Sequence, residues 1–218
     1  MFRDLLPDDV AVSWRRAPVD SPRSVPETTT LGTVSPKRLS DFATGRACAH
    51  DALRMLGATE PTVSRGTTGA PVWPGGFVGS ITHCTGAFGA AAASSDRYRS
   101  VGIDAEPLHD LSPDMLRLLQ SPEELDRGRA GGVRHADLIN FSAKESLYKA
   151  WHPLTGSWLD FLEATVEVAP DGTFTATVRH QLAARTGLKR LTGTWAVHDG
   201  VVYTALAVAA RAVPPATR

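Results

Sequence analysis

Ser35-Pro36-Lys37-Arg38-Leu39-Ser40-Asp41-Phe42-Ala43-Thr44-Gly45-Arg46-Ala47-Cys48-Ala49-His50-Asp51-Ala52-Leu53-Arg54-Met55-Leu56-Gly57 is the stretch from which the rest of the chain can be read. A serine followed by proline supplies an N-cap and a first helical residue that needs no N–H partner. Leu39, Phe42, Ala49, Leu53 and Leu56 follow at helical spacing, and Gly57 provides the stop. The spacing predicts a long helix with Arg38, Arg46 and Arg54 drifting slowly along one side as a basic stripe.

Upstream, Val10 to Trp14 has strand character, and Pro18 to Pro26 with Thr28 to Thr30, rich in Pro, Ser and Thr, reads as a mobile loop. Downstream, short β-like runs are separated by Gly and Pro, and Val78–Cys84, Ala87–Ala93 and Ser100–Glu106 read as an antiparallel meander. Ser112-Pro113 and Ser121-Pro122-Glu123-Glu124 resemble helix starts, and Ala136 to Trp151 forms a second long helix. Two hairpins close the chain, turning at Pro170-Asp171-Gly172 and His198-Asp199-Gly200. A long helix followed by hairpins thus occurs twice. That order predicts an α+β fold of two similar-sized lobes, residues 1–107 and 108–218, each a long helix on a small antiparallel sheet. A site at the junction is the default expectation.

Composition narrows the function. The 218 residues balance 23 Lys+Arg against 23 Asp+Glu, so no net field is available to hold a nucleic-acid backbone. Cys48 and Cys84 form no C-x-x-C and read as buried thiols of a reducing compartment. Charges and Pro7 interrupt the first residues before a secretory apolar region forms, and Val201 to Ala210 is far shorter than the ~20 residues of a membrane span. A soluble, cytoplasmic protein without nucleic-acid or membrane partners is expected. G-x-G-x-x-G after a strand, a Walker A loop, H-E-x-x-H and G-x-S-x-G are all missing from the sequence.

Four groups could carry chemistry. In Val101-Gly102-Ile103-Asp104-Ala105-Glu106-Pro107, alternation sends Val101 and Ile103 inward and projects Asp104 and Glu106 together. That pair is either ligation for a hard divalent ion or a polar strand end facing water. In Phe141 to Trp151, Glu145 and Lys149 share a helix face, which fits a site as well as a surface pair. Only four lysines occur (Lys37, Lys144, Lys149, Lys189), and two of them fall in that segment. His83, at the end of Gly79-Ser80-Ile81-Thr82-His83, could donate to a phosphate or be a satisfied structural polar group. Arg38 and Arg46 could grip phosphate or simply solvate the helix.

Taken in order, Gly45-Arg46-x-Cys48-Ala49, Gly69-Ala70-Pro71-x-Trp73-Pro74, Gly79-Ser80-Ile81-Thr82-His83, Gly102-Ile103-Asp104-Ala105-Glu106 and Lys144-Glu145-Ser146-x-x-Lys149-Ala150 resemble the 4'-phosphopantetheinyl transferases. The likeness is strongest to the bacterial stand-alone type serving siderophore, polyketide and nonribosomal-peptide synthases. It implies two pseudo-symmetric lobes, a monomer, and transfer of the coenzyme A arm to a serine of an apo carrier protein with release of 3',5'-ADP. It also implies Mg²⁺, with Mn²⁺ as an alternative, on Asp104, Glu106 and Glu145, and Glu145 and Lys149 as the catalytic pair. Coenzyme A would meet Arg38, Arg46, Thr68, Gly69, Ala70, Pro71, Thr82, His83, Asp104, Lys144, Glu145 and Lys149. Phe141, Tyr148 and Trp158 would either wall the pantetheine channel or pack into the core. The family usually has a basic residue at Thr68, and Arg65, on the same loop, has the reach to substitute. Met115 to Leu119 would face the carrier or form a plain core helix. A coenzyme A binding module without turnover and a generic Mg²⁺ phosphohydrolase are the competing readings.

Overall fold

The computed structural model describes residues 2–210, without the side chain of Arg129. In chain order the elements are β1 (Ala11–Arg15), α1 (Pro36–Met55), β2 (Ser64–Arg65), β3 (Pro71–Val72), β4 (Phe77–Cys84), β5 (Ala87–Ser94) and β6 (Tyr98–Pro107). They continue with α2 (Pro113–Leu119), α3 (Pro122–Ala130), α4 (Ala136–Thr155), β7 (Ala164–Val168), β8 (Thr173–Val178), α5 (Leu182–Thr186), β9 (Arg190–His198) and β10 (Val201–Ala209). The fold is α+β, as the element order implied.

Local chemistry sets the helix ends. Ser35 accepts from the Arg38 N–H, and Ser112 and Ser121 do the same for α2 and α3, each with proline at the first helical position. Behind α1, Gly57 takes φ +88°, the left-handed region that glycine enters without strain. The β9–β10 turn is Asp199-Gly200, both at positive φ, as a two-residue hairpin in a right-twisted sheet requires.

Three strands pair antiparallel in the order β1-β5-β4, and five in the order β6-β10-β9-β8-β7. Here the expected meander fails. β4 and β5 form a hairpin, but β6 leaves them and pairs with β10 along its whole length, from Val201↔Pro107 to Ala209↔Tyr98. The metal-strand candidate therefore belongs to the second sheet, and the first sheet ends before residue 98.

Burial explains the arrangement. β5 is almost entirely small and buried. Phe88, Ala90 and Ala92 meet Cys48, Ala49, Ala52 and Leu53 of α1, while Ala87, Ala91 and Ala93 share a core with Val101, Ile103 and Ala105 of β6 and Tyr203 and Ala205 of β10. With 101, 103 and 105 spent on that layer, residues 102, 104 and 106 must face the other way. There α4 lies across β6, so closely that a Cβ on Gly102 would collide with the Ser146 carbonyl oxygen. The other side of α4 buries Ala143, Leu147, Ala150 and Trp151 among Val166, Phe174, Val178 and Leu206.

Two further expectations change. The Pro18–Thr30 segment is no bare loop: two 3-10 turns, Pro22–Ser24 and Pro26–Leu31, lie along α1 and bury Glu27 and Thr28. Glu27 accepts from Val63 N–H at 2.8 Å and contacts His50 Nε2 at 2.7 Å. Nor is there an arginine stripe. Arg38 and Arg54 are exposed, but Arg46 is 4% exposed beneath the β2–β3 hairpin.

Candidate active site

The site forms where the face of α4 carrying Ser142, Glu145, Ser146 and Lys149 crosses β6, positions three, four and seven apart being neighbours on a helix. Asp104 is 4% exposed and fully partnered. Lys149 Nζ donates to its Oδ1 at 2.6 Å, Thr82 Oγ1 donates to the same oxygen at 3.2 Å, and Ser142 Oγ donates to Oδ2 at 2.8 Å. Below, Thr204 of β10 ties Ser142 and Ser146 together, with hydroxyl contacts of 2.9 and 2.6 Å. Thr82 comes from β4, so both sheets and α4 meet at one carboxylate. Ser142, Ser146 and Thr204 were not foreseen as site residues. Ser146 lies in the quoted helix motif and Ser142 two residues before it, whereas Thr204 has no local signal.

Glu106 and Glu145 flank this centre. Burial, and then the Asp104 charge, push Glu106 up to about 7, with Lys149 opposing and Glu145 adding to the rise. Glu145 is raised for the same reasons, burial first and Asp104 second. The expected three-ligand metal cage is not assembled: among the described residues no group of three His, Cys, Asp or Glu side chains is gathered tightly enough to hold an ion. Asp104 instead turns to Lys149. The donor chemistry nevertheless fits a hard divalent cation, because three mutually repelling carboxylates have one ammonium among them.

Beside the carboxylates runs a groove of about 300 Å³ lined by Thr68, Ala70, Pro71, Ser80, Ile81, Glu145, Tyr148, Lys149 and His152. The glycine-proline turn and α4 thus both line it. His83 does not line it; its side chain is 39% exposed and lies 3.8 Å from Asp41 Oδ2. Burial, reinforced by Arg38, Lys149 and Lys37, holds His83 below the usual imidazole value against the pull of Asp41. A second, smaller pocket of about 110 Å³ opens behind Glu145, walled by Leu147, Tyr148, Trp158, Leu159 and Phe161. Tyr148 and Trp158 meet there with ring centroids 5.0 Å apart. Phe141 does not line it but backs Phe161 at 5.9 Å.

Lys144 requires a correction. Its side chain is 2% exposed, and Nζ donates to Glu124 Oε2 at 2.9 Å, Leu119 O at 2.7 Å and Phe161 O at 2.9 Å. All three ammonium protons have protein acceptors, leaving none for a phosphate. Being next to Glu145 in sequence puts it on another side of α4, about 100° away.

A three-stranded sheet packed on α1 and a five-stranded sheet packed on α4, with a carboxylate and lysine centre where β4, β6 and α4 meet, define a protein of the α+β class. Comparison with known proteins fixes the family. Residues 27–93 match the 4'-phosphopantetheinyl transferase N-terminal domain, and residues 100–204 match the 4'-phosphopantetheinyl transferase superfamily. The 4'-phosphopantetheinyl transferase Svp of Streptomyces mobaraensis is 47% identical over 81% of this chain and 75% of its own. PptT of Mycobacterium tuberculosis is 42% identical over 78% of this chain and 79% of its own, and Npt of Nocardia iowensis 40% over 79% and 83%. Both are likewise 4'-phosphopantetheinyl transferases. The chain belongs to the 4'-phosphopantetheinyl transferase superfamily, is of the stand-alone bacterial type, and is an enzyme of the holo-[carrier protein] synthase kind.

Proposed function

We propose that this enzyme moves the 4'-phosphopantetheine arm of coenzyme A onto a serine of an apo carrier protein or carrier domain of an assembly-line synthase, releasing 3',5'-ADP. The observation that carries the reading is the Lys149–Asp104 contact of 2.6 Å, which joins α4 to the acidic strand β6, with Lys149 also lining the 300 Å³ groove. The serine oxygen bonds to the phosphorus that bears the arm, and the bond from that phosphorus to the bridging diphosphate oxygen breaks. Glu145 takes the serine proton, and burial together with the Asp104 charge raises its basicity. Lys149 offsets charge on the diphosphate. Asp104, Glu106 and Glu145 would hold Mg²⁺, or Mn²⁺, which when bound supplies charge stabilisation at the diphosphate oxygens. Thr82 and Ser142 hold Asp104 in place through the hydrogen bonds already described. Tyr148 and Trp158 offer apolar walls for the arm. No helix among the described residues is long and apolar enough to cross a membrane, in keeping with a cytoplasmic site of action.

Incubation with coenzyme A, Mg²⁺ and apo carrier proteins should add one arm's mass to one serine, and Glu145→Gln should nearly abolish the gain. No mass gain with peptidyl, aryl and acyl carriers alike would overturn the proposal. ADP release without any acceptor would assign a phosphohydrolase instead.

A further inference from the structure

The hydroxyls of Ser142, Ser146 and Thr204 lie beneath Asp104, and all of these residues are 0% exposed. The β10–β6 register sets Thr204 directly opposite Asp104. Its neighbours on the same face of β10, Val202 and Leu206, are core residues packed against α4 side chains. A hydroxyl placed between apolar neighbours is costly unless it is bonded. Here it is fully bonded: Thr204 Oγ1 lies 2.9 Å from Ser142 Oγ, 2.9 Å from Ser142 O and 2.6 Å from Ser146 Oγ.

Counting protons gives these contacts a direction, because each hydroxyl has a single proton to donate. Ser142 gives its own to Asp104 Oδ2 at 2.8 Å, so towards Thr204 it can only accept. Thr204 is therefore the donor there, its proton shared between the hydroxyl and carbonyl oxygens of Ser142. Towards Ser146, Thr204 in turn can only accept. The chain runs from Ser146 through Thr204 and Ser142 to Asp104, each hydroxyl pointing at the next and the last at the carboxylate, an alignment in which the bonds polarise one another. The carboxylate oxygens thus have different duties. Oδ1 meets Lys149 and Thr82, whereas Oδ2 is the end that the hydroxyl chain holds. Fixing Oδ2 fixes the rotation of the carboxylate, and with it the oxygen presented to Lys149.

We propose that Thr204 is a positioning residue: acting through Ser142, it sets the rotation of Asp104 so that Oδ1 is presented to Lys149 and to the divalent cation. The inference rests on the part of the proposed function that makes Asp104 a ligand of that cation. Thr204→Val removes the hydroxyl and keeps the branched shape. Ser146 Oγ still has the backbone carbonyl of position 204, at 3.1 Å, as an acceptor, so no buried donor is stranded and the melting temperature should barely move. The half-saturating Mg²⁺ concentration should nevertheless rise about tenfold, the low end of what partners behind a metal ligand are worth. KM for coenzyme A at saturating Mg²⁺ should change little. Mn²⁺ titration followed by electron paramagnetic resonance, with coenzyme A but no carrier, should show the same weakening without turnover. Thr204→Ser should restore both quantities. Ser146→Ala, which strips the first link, should cost less than Ser142→Ala, which strips the last. The opposite order would overturn the proposal, as would an unchanged Mn²⁺ affinity in Thr204→Val or a loss that Thr204→Ser fails to rescue. Wild-type enzyme that binds Mn²⁺ but transfers nothing to any carrier would refute the proposed function and leave this inference standing, whereas wild-type enzyme that binds no Mn²⁺ would overturn the inference itself.

Discussion

Lys144→Met separates a structural from a ligand-binding role at a residue whose motif position suggested the latter. The change removes the ammonium but keeps most of the side-chain volume. It leaves the Glu124 carboxylate, 0% exposed at the side chain, with Asn140 Nδ2, Val166 N–H and Ser121 N–H as its donors among the described residues. The Leu119 and Phe161 carbonyls lose their ammonium donor as well. Breaking one side of a buried ion pair typically costs about 3–5 kcal/mol, against about 5–15 kcal/mol of total stability. Chemical denaturation should therefore show a large drop in midpoint with little change in slope. Lys144→Met/Glu124→Gln should recover part of the loss, because the amide oxygen still accepts from Val166 N–H while the buried charge is gone. Steady-state KM for coenzyme A, measured well below the new melting temperature, should move little. Stability within about 1 kcal/mol of wild type, combined with a tenfold rise in KM, would refute this reasoning and return Lys144 to the phosphates.

Glu145→Gln should reduce transfer by about 10²- to 10⁴-fold, the usual worth of a general base, while the circular dichroism spectrum stays unchanged. Gly102→Ala should destabilise by about 1–3 kcal/mol or more, because the new methyl has to push α4 off β6; thermal melting measures it, and a neutral result would contradict the packing. Glu27 is held below the ordinary carboxylate value of 4.5: burial acts upward but is outweighed by the Val63 N–H and His50. A depressed carboxylate adds stability that is full above that value and is lost as pH falls through the native one. Glu27→Gln should accordingly flatten the acid limb of a melting temperature against pH curve, and an unchanged limb would show that Glu27 titrates as it does in the unfolded chain.

What could be read from the sequence was mostly local. Ser35-Pro36, Ser112-Pro113 and Ser121-Pro122 each act within one helical turn, so each cap was visible in a few residues. Alternation along 101–106 likewise separated Asp104 and Glu106 from the core face, because a strand repeats every two residues. The errors were non-local. β6 looked like the third strand of a meander because it follows β5, yet its partner β10 lies far along the chain. The arginine stripe failed because a step of eight residues turns the helix about 80° past two full turns, enough to carry Arg46 from solvent to beneath the hairpin. Lys144 and Lys149 occur together in the motif, but one is an interior strut and the other a site residue, a difference that only Glu124, donated by α3, decides.

The pairing of β6 with β10 also governs timing during synthesis. β10 is the last of the described strands to be made, and it stands between β6 and the remainder of the five-stranded sheet. Until the ribosome releases it, the acidic strand has no in-sheet neighbour and Thr204 is missing from beneath Ser142 and Ser146. A nascent chain without β10 thus lacks both the strand that pairs with β6 and the hydroxyl that ties Ser142 to Ser146.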